Sequence, residues 1–263
     1  MKAERPVKEQ KRWNAMNIKV WSDFVCPFCY IGKRRLEQAL EQFPNSHEVT
    51  VEFKSFELDP HAPKEATKTV HESIAEKYGL SLEQAKSMNE NVGHQAASVG
   101  LAFNFENMRP SNTFDAHRLA KFASEKGAEK VITEKLLHAY FTDSLVLSDH
   151  HVLTSIAESA GLDCEEVLEF LKTDRLAGEV RADEAEAGQL GVQGVPFFVF
   201  NDKYAVSGAQ SVEAFTSALE RVWREERQAP RLQTLTDQSS DAAFCSDEGC
   251  DVPTNGRLSS DND

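Results

Sequence analysis

The chain has 263 residues, 40% of them hydrophobic, and a formal net charge of −14. That length can bury a sizeable core in one large domain or two interleaved ones, and the acidic balance argues against nucleic acid as a partner. No apolar run approaches the roughly 20 residues that cross a bilayer, so no membrane partner is expected.

The opening segment is charged from Lys2 to Arg12 and carries no apolar stretch of the kind a secretory signal needs. A cytoplasmic location is therefore expected, with most of the five cysteines reduced at rest. Residues 1–16 read as a disordered extension, Met16 lying just before the first strand. Ile18 to Trp21 is a short apolar run that reads as that strand. From Ile31 to Leu40 apolar residues recur at helical spacing. Between them lies Ser22-Asp23-Phe24-Val25-Cys26-Pro27-Phe28-Cys29-Tyr30. A strand thus turns into a helix at Cys26, with Cys29 about one turn further in. Unpaired N–H groups and the positive end of the helix dipole favour an anion there. A thiolate is such an anion and is the attacking form of a thiol. Cys29 is close enough to close a disulfide behind it.

Two plainer readings of the pair are weaker. A zinc site needs a second pair of suitable spacing, and the other close pair, Cys245 and Cys250, lies in a polar tail; no metal is expected. A structural disulfide is a poor use of C-x-x-C at a helix start in a cytosolic protein.

Val49 to Phe56 alternates apolar and polar residues and reads as a second strand, ended by Asp59-Pro60-His61-Ala62-Pro63. Strand-like alternation then disappears until about Leu190. Helical patterns run over Thr67–Tyr78, Leu82–Val99, Thr113–Ser124, Ala128–Leu145, His150–Ala160, Glu165–Leu171 and Ala177–Leu190. Ser81 and Asn112 look like N-caps, with Asp115 completing a variant capping box on Asn112. Gly194 to Phe200 reads as a strand begun through Pro196. Asn201-Asp202 makes a tight turn, and Lys203 to Ser207 is the hairpin partner. A last helix covers Val212 to Glu226. From Arg231 onward the chain holds seven Asp/Glu against two Arg and lacks periodicity, which reads as a mostly disordered acidic tail.

The expected fold is α/β, in the order β-α-β, helical insertion, β-β-α. The expected organisation is a sheet domain from 17–62 and 191–228, a helical insertion over 63–190, and a flexible tail over 229–263. Three segments of this pattern, Ser22 to Gly32, Pro110 to Leu119 and Gly191 to Phe198, resemble the DsbA-like branch of the thioredoxin superfamily. The chain is most similar to its cytoplasmic FrnE group, over roughly Asn17 to Gln228.

The resemblance implies a thioredoxin fold and a dithiol–disulfide oxidoreductase or isomerase acting on protein or small-molecule thiols and disulfides. It implies no bound cofactor, although glutathione is a candidate co-substrate. Cys26 corresponds to the attacking cysteine and Cys29 to the resolving one. Pro196 corresponds to a cis-proline facing the disulfide, which leaves the backbone of Val195 free for an extended substrate. Pro27 and Phe28, between the cysteines, complete the implied substrate-binding set. The most oxidising DsbA proteins carry a histidine between their cysteines. Phe28 cannot donate to a thiolate, so a potential between roughly −120 and −270 mV is implied.

Other residues leave two readings each. Asp23 is a candidate proton relay to Cys29 or a turn cap. Asn112, His117 and Arg118 are candidate groove residues or a cap with solvated neighbours. His150-His151 reads as a helix start, and Cys164 as a partly buried lone thiol. Cys245 and Cys250, spaced C-x4-C, are a candidate second dithiol, a metal site with neighbouring acids, or plain tail. Two further functions share the fold: a glutathione-dependent isomerase or transferase, which uses serine where this chain has Cys26, and a non-enzymatic protease adaptor. The oligomeric state is open.

Overall fold

The structure, a computed structural model, describes residues 16–228, 244–246 and 249–251. The residues before Met16 and most of the acidic tail lie outside that range, so the expectations placed on them fall outside it too.

Strand β1 spans Met16–Ser22 and β2 spans Val49–Ser55, joined by helix α1, Pro27–Gln42. Strand β3 is Phe197–Phe200 and β4 is Tyr204–Ser207. The sheet order is β2-β1-β3-β4. β1 runs parallel to β2 and antiparallel to β3, and β3 is antiparallel to β4. Helix α9, Val212–Gln228, follows. Between β2 and β3 come seven helices: α2 Val70–Tyr78, α3 Leu82–Ala97, α4 Phe114–Glu125, α5 Glu129–Phe141, α6 His150–Ser159, α7 Cys164–Leu171 and α8 Ala177–Gln189. This is the expected thioredoxin-type order with its helical insertion.

The alternation of β1 decides how these parts pack. Ile18 and Val20 join Leu36, Phe43, Phe198, Phe200 and Phe215 in a core under α1 and α9. Trp21 points the other way, into a smaller cluster with Ala187, Val192 and Val199. Its indole N–H donates to the Asp183 carbonyl at 2.8 Å, and Asp183 Oδ2 accepts from the Ser55 N–H at 2.9 Å. These bonds tie α8 to the ends of β1 and β2. A third core holds the helices together, and Phe24, Tyr30 and Ile31 reach into it beside Leu119, Phe122 and Phe141. The two cysteines therefore sit where sheet and helical insertion meet.

Several boundaries differ from the sequence reading. Met16 is inside β1, pairing with Val49, rather than outside it. Helix α2 begins at Val70 because Thr69 and Glu72 close a capping box there. Helix α5 stops at Phe141, short of Leu145, as Ser144 turns to φ 56° with its hydroxyl on the Asn104 carbonyl. β3 begins at Phe197, not Gly194, since Pro196 has no N–H to give a ladder. The Asn112 capping box does not form: Thr113 occupies the cap position. Asp115 turns instead to Arg118, at 2.6 Å, and His150, at 2.8 Å, so its carboxylate is partnered away from the cap.

Beyond α9 the described residues form β5, Phe244–Ser246, and β6, Gly249–Asp251. They pair antiparallel, with Cys245 opposite Cys250. Six residues of the tail thus form a short strand pair that the sequence reading did not place; strands of three residues are too short to show periodicity.

Candidate active site

Cys26 is the N-cap residue of α1, in an extended conformation at φ −90° and ψ 113°. Pro27 takes the first helical position, where a missing N–H costs nothing. The turn into the helix is closed by the Cys26 N–H on the Asp23 carbonyl at 3.2 Å and the Cys29 N–H on the Cys26 carbonyl at 3.0 Å. Both cysteines are free thiols. Both are also buried, Cys26 at 4% exposure and Cys29 at 2%, while Phe28 between them is 39% exposed.

The Cys26 thiol donates to the Val195 carbonyl at 3.5 Å. Val195-Pro196 is a cis peptide. A groove of about 390 Å³ opens along this segment, lined by Gln193, Gly194, Val195, Pro196, Ser207 and Gly208. Gly32 of α1 lies against the same loop. A Cβ there would stand 3.0 Å from Pro196 Cγ and 3.2 Å from Phe198 Cζ. Glycine at that position lets α1 approach the proline closely.

Cys29 faces inward. Burial first, and then its hydrogen bond with Cys26, push its thiol well above the ordinary value, while the Ser22 hydroxyl and the Asp23 N–H pull the other way. The Asp23 N–H lies 3.4 Å from Cys29 Sγ. The Asp23 carboxylate is 1% exposed. Its Oδ2 accepts from the Leu58 N–H at 2.8 Å, and its Oδ1 lies 3.3 Å from His117 Nε2. The Asp23 side chain thus ties down the segment after β2 rather than the turn after β1, and it is the backbone N–H of Asp23 that meets the inner cysteine.

His117 and Arg118 are neither solvated nor groove residues. His117 is 3% exposed, and its ring lies 4.7 Å from that of Phe24. Arg118 donates to Asp115 and to the carbonyls of Phe170, Thr173 and Arg175, pinning α4 to the end of α7. Asn112 donates to the Ala62 carbonyl at 3.2 Å and accepts from the Phe114 N–H. Cys164 is a partly buried free thiol at the start of α7, and His150 begins α6, both as read from sequence.

Two features near the cysteines had no sequence signal. Glu134 of α5 gathers Tyr30, Lys33 and Arg34 of α1, accepting from the Tyr30 hydroxyl at 2.7 Å. Glu57, just after β2, buries its carboxylate, pairs through Oε2 with Arg181 and leaves Oε1 without a partner among the described residues. Long-range pairing of this kind depends on which helix faces which, and no local spacing encodes it.

The DSBA-like thioredoxin domain matches residues 17–220. The chain belongs to that family. Its similarity to a probable DsbA oxidoreductase of Streptomyces coelicolor is 42% identity over 91% of this chain and 100% of that one, with a TM-score of 0.80. It is 28% identical to the uncharacterised protein YwbO of Bacillus subtilis (strain 168), over 78% of this chain and 96% of the relative. The cytosolic disulfide reductase DsbM of Pseudomonas aeruginosa, in a structure with glutathione, shares the fold. It has a TM-score of 0.56 at 14% identity, over 79% of this chain and 99% of that one. This membership, with the Cys26–Cys29 pair at the helix start, makes the chain a DsbA-like thiol–disulfide oxidoreductase or a related enzyme.

Proposed function

We propose that this chain is a cytoplasmic thiol–disulfide oxidoreductase or isomerase of the FrnE group, using the Cys26-Pro27-Phe28-Cys29 dithiol. The observation that carries the reading is the contact between the Cys26 thiol and the Val195 carbonyl beside Pro196. It joins the helix start that favours a thiolate to backbone on which an extended peptide can lie.

The Cys26 thiolate attacks a substrate disulfide, forming a mixed disulfide and releasing one substrate thiolate. Cys29 then loses its proton and attacks Cys26 Sγ. That forms the Cys26–Cys29 disulfide and releases the second substrate thiolate. Asp23, beside Cys29, takes up the proton. Two thiols of the glutathione class return the pair to the reduced state, each giving one electron and one proton as they join in a disulfide. Pro27, Phe28, Val195 and Pro196 contact the substrate. The exposed Phe28 ring offers apolar surface, and the groove beside Pro196 has room for a peptide or a small thiol. The opposed positions of Cys245 and Cys250 in the β5–β6 hairpin support a second dithiol there.

Insulin reduction by the purified protein, driven by glutathione, tests the reading. Turnover that Cys26→Ser abolishes supports it. Absence of turnover in the wild-type protein, or its persistence in the variant, overturns it.

A further inference from the structure

The resolving step has a requirement that the two cysteines do not meet by themselves. Cys29 is a desolvated thiol, and it must give up a proton before it can attack. Asp23, whose backbone N–H lies 3.4 Å from Cys29 Sγ, is equally buried. Its two oxygens are each partnered, Oδ2 by the Leu58 N–H and Oδ1 by His117 Nε2. The Leu58 bond comes from backbone and survives any side-chain change. The His117 contact is the one that a side chain supplies. It comes from 94 residues away in the chain. His117 is itself held in place by Phe24, the residue next to Asp23, against which its ring packs.

We propose that His117 is the positioning residue of the resolving step: its contact with Oδ1 fixes the side chain of Asp23, the residue whose backbone meets Cys29 Sγ, so that the Asp23–His117 pair receives the Cys29 proton. The proposal rests on the thiol–disulfide reading above and on Asp23 as relay. In the step, the Cys29 S–H bond breaks and its proton passes to the pair. The sulfur electron pair forms the bond to Cys26 Sγ, and the bond from Cys26 to the substrate sulfur breaks, its electrons leaving on the substrate thiolate. The pair afterwards returns the proton to water or to that thiolate.

Other charged groups surround the pair from each packed element. Glu57 approaches His117 from the segment after β2, and its own carboxyl is pushed up, chiefly by burial. Arg181 and Glu184 of α8 reach the cluster through Glu57. Tyr140 of α5 feels the charge of Asp23, and burial, the larger cause, raises its hydroxyl. Lys54, Lys121 and Glu129 share with His117 the wall of one small cavity. None of these makes a hydrogen bond to Asp23 among the described residues, so a change at His117 alone leaves this background in place.

The test is stopped-flow reaction of the reduced full-length protein with excess 5,5′-dithiobis(2-nitrobenzoate), with Cys164, Cys245 and Cys250 replaced by serine. Two equivalents of coloured thiolate are released in turn, the first by Cys26 attack and the second by Cys29 closure. His117→Phe keeps the packing on Phe24 and removes the donor. It is expected to slow the second phase about 10- to 100-fold. The first phase should stay within about twofold, since Cys26 does not use the relay. His117→Gln restores an N–H and should recover most of the second-phase rate. Asp23→Asn should slow the second phase as much as His117→Phe, and the double variant should be no slower than either single one. An unchanged second phase, equal slowing of both phases, or additive losses in the double variant each overturns the proposal. If His117→Phe does not fold, the Asp23→Asn and His117→Gln pair decides by the same additivity criterion. Absence of the first phase in the wild-type protein would instead remove the thiol–disulfide reading, and the proposal with it.

Discussion

The Cys26 thiol donates to the Val195 carbonyl across 3.5 Å of space and 169 residues of chain. The helix start that favours an attacking thiolate is thereby set against the backbone that a substrate would pair with. Gly32, one turn beyond Cys29, makes the approach possible, because α1 meets Pro196 and Phe198 where a side chain would otherwise stand.

Gly32→Ala tests that approach. The substitution gains up to about 1 kcal/mol of helix propensity and costs about 1–3 kcal/mol in overpacking against Pro196 and Phe198. The expected net change is a loss of about 1 kcal/mol with a fall in reductase rate, because the Val195-Pro196 segment is displaced from Cys26. Urea unfolding and insulin turnover of the variant check both parts. A stabilised variant of full activity would show that the loop yields freely.

Asp115 supplies a pH-dependent contribution to stability. Burial by itself raises its carboxyl, but His150 and Arg118 outweigh that and hold it below the ordinary range. A carboxyl depressed in the fold adds stability above its unfolded value, and the gain is lost as pH falls through the folded value. Asp115→Asn leaves Arg118 buried without its carboxylate and should cost about 3 kcal/mol at pH 7. The gap to wild type should close as pH falls below roughly 4. Unfolding curves of the two proteins from neutral to acid pH measure this, and equal stability at pH 7 would contradict it.

Much of this was legible before the structure. The switch from strand alternation to helical spacing around Cys26 placed the dithiol at a helix start, and the loss of alternation after Phe56 marked the insertion. Resemblance, more than spacing, pointed to Pro196. His117 was not legible, because a histidine on a helix face gives one pattern whether it meets water or a buried carboxylate. Only the packing of α4 against the turn after β1 decides that. The same holds for Glu57 and Glu134, whose partners lie on distant elements. The β5–β6 pairing escaped notice because its strands are shorter than the alternation needed to see them.

The opposed positions of Cys245 and Cys250 lead to a chemical expectation. Directly opposite residues of an antiparallel pair bring their Cβ atoms to about 4.5–5.5 Å, and a disulfide needs about 3.5–4.5 Å, so a small adjustment closes the bond. Mild oxidation of the Cys26→Ser/Cys29→Ser protein should remove two hydrogens and protect both tail cysteines from alkylation. Peptide mass spectrometry reads this directly. Tail cysteines that stay alkylatable under oxidant would return the segment to plain tail. The Cys245→Ser/Cys250→Ser protein should retain insulin reduction.

The central claim is that Cys26 attacks and Cys29 resolves. Its most direct measurement is mass spectrometry of the Cys29→Ser protein after reaction with a disulfide-bonded peptide. One adduct of a single peptide arm, mapped to Cys26 and released by reductant, is the predicted result. An adduct mapped elsewhere, or a Cys29→Ser protein that turns over like wild type and accumulates none, would contradict it.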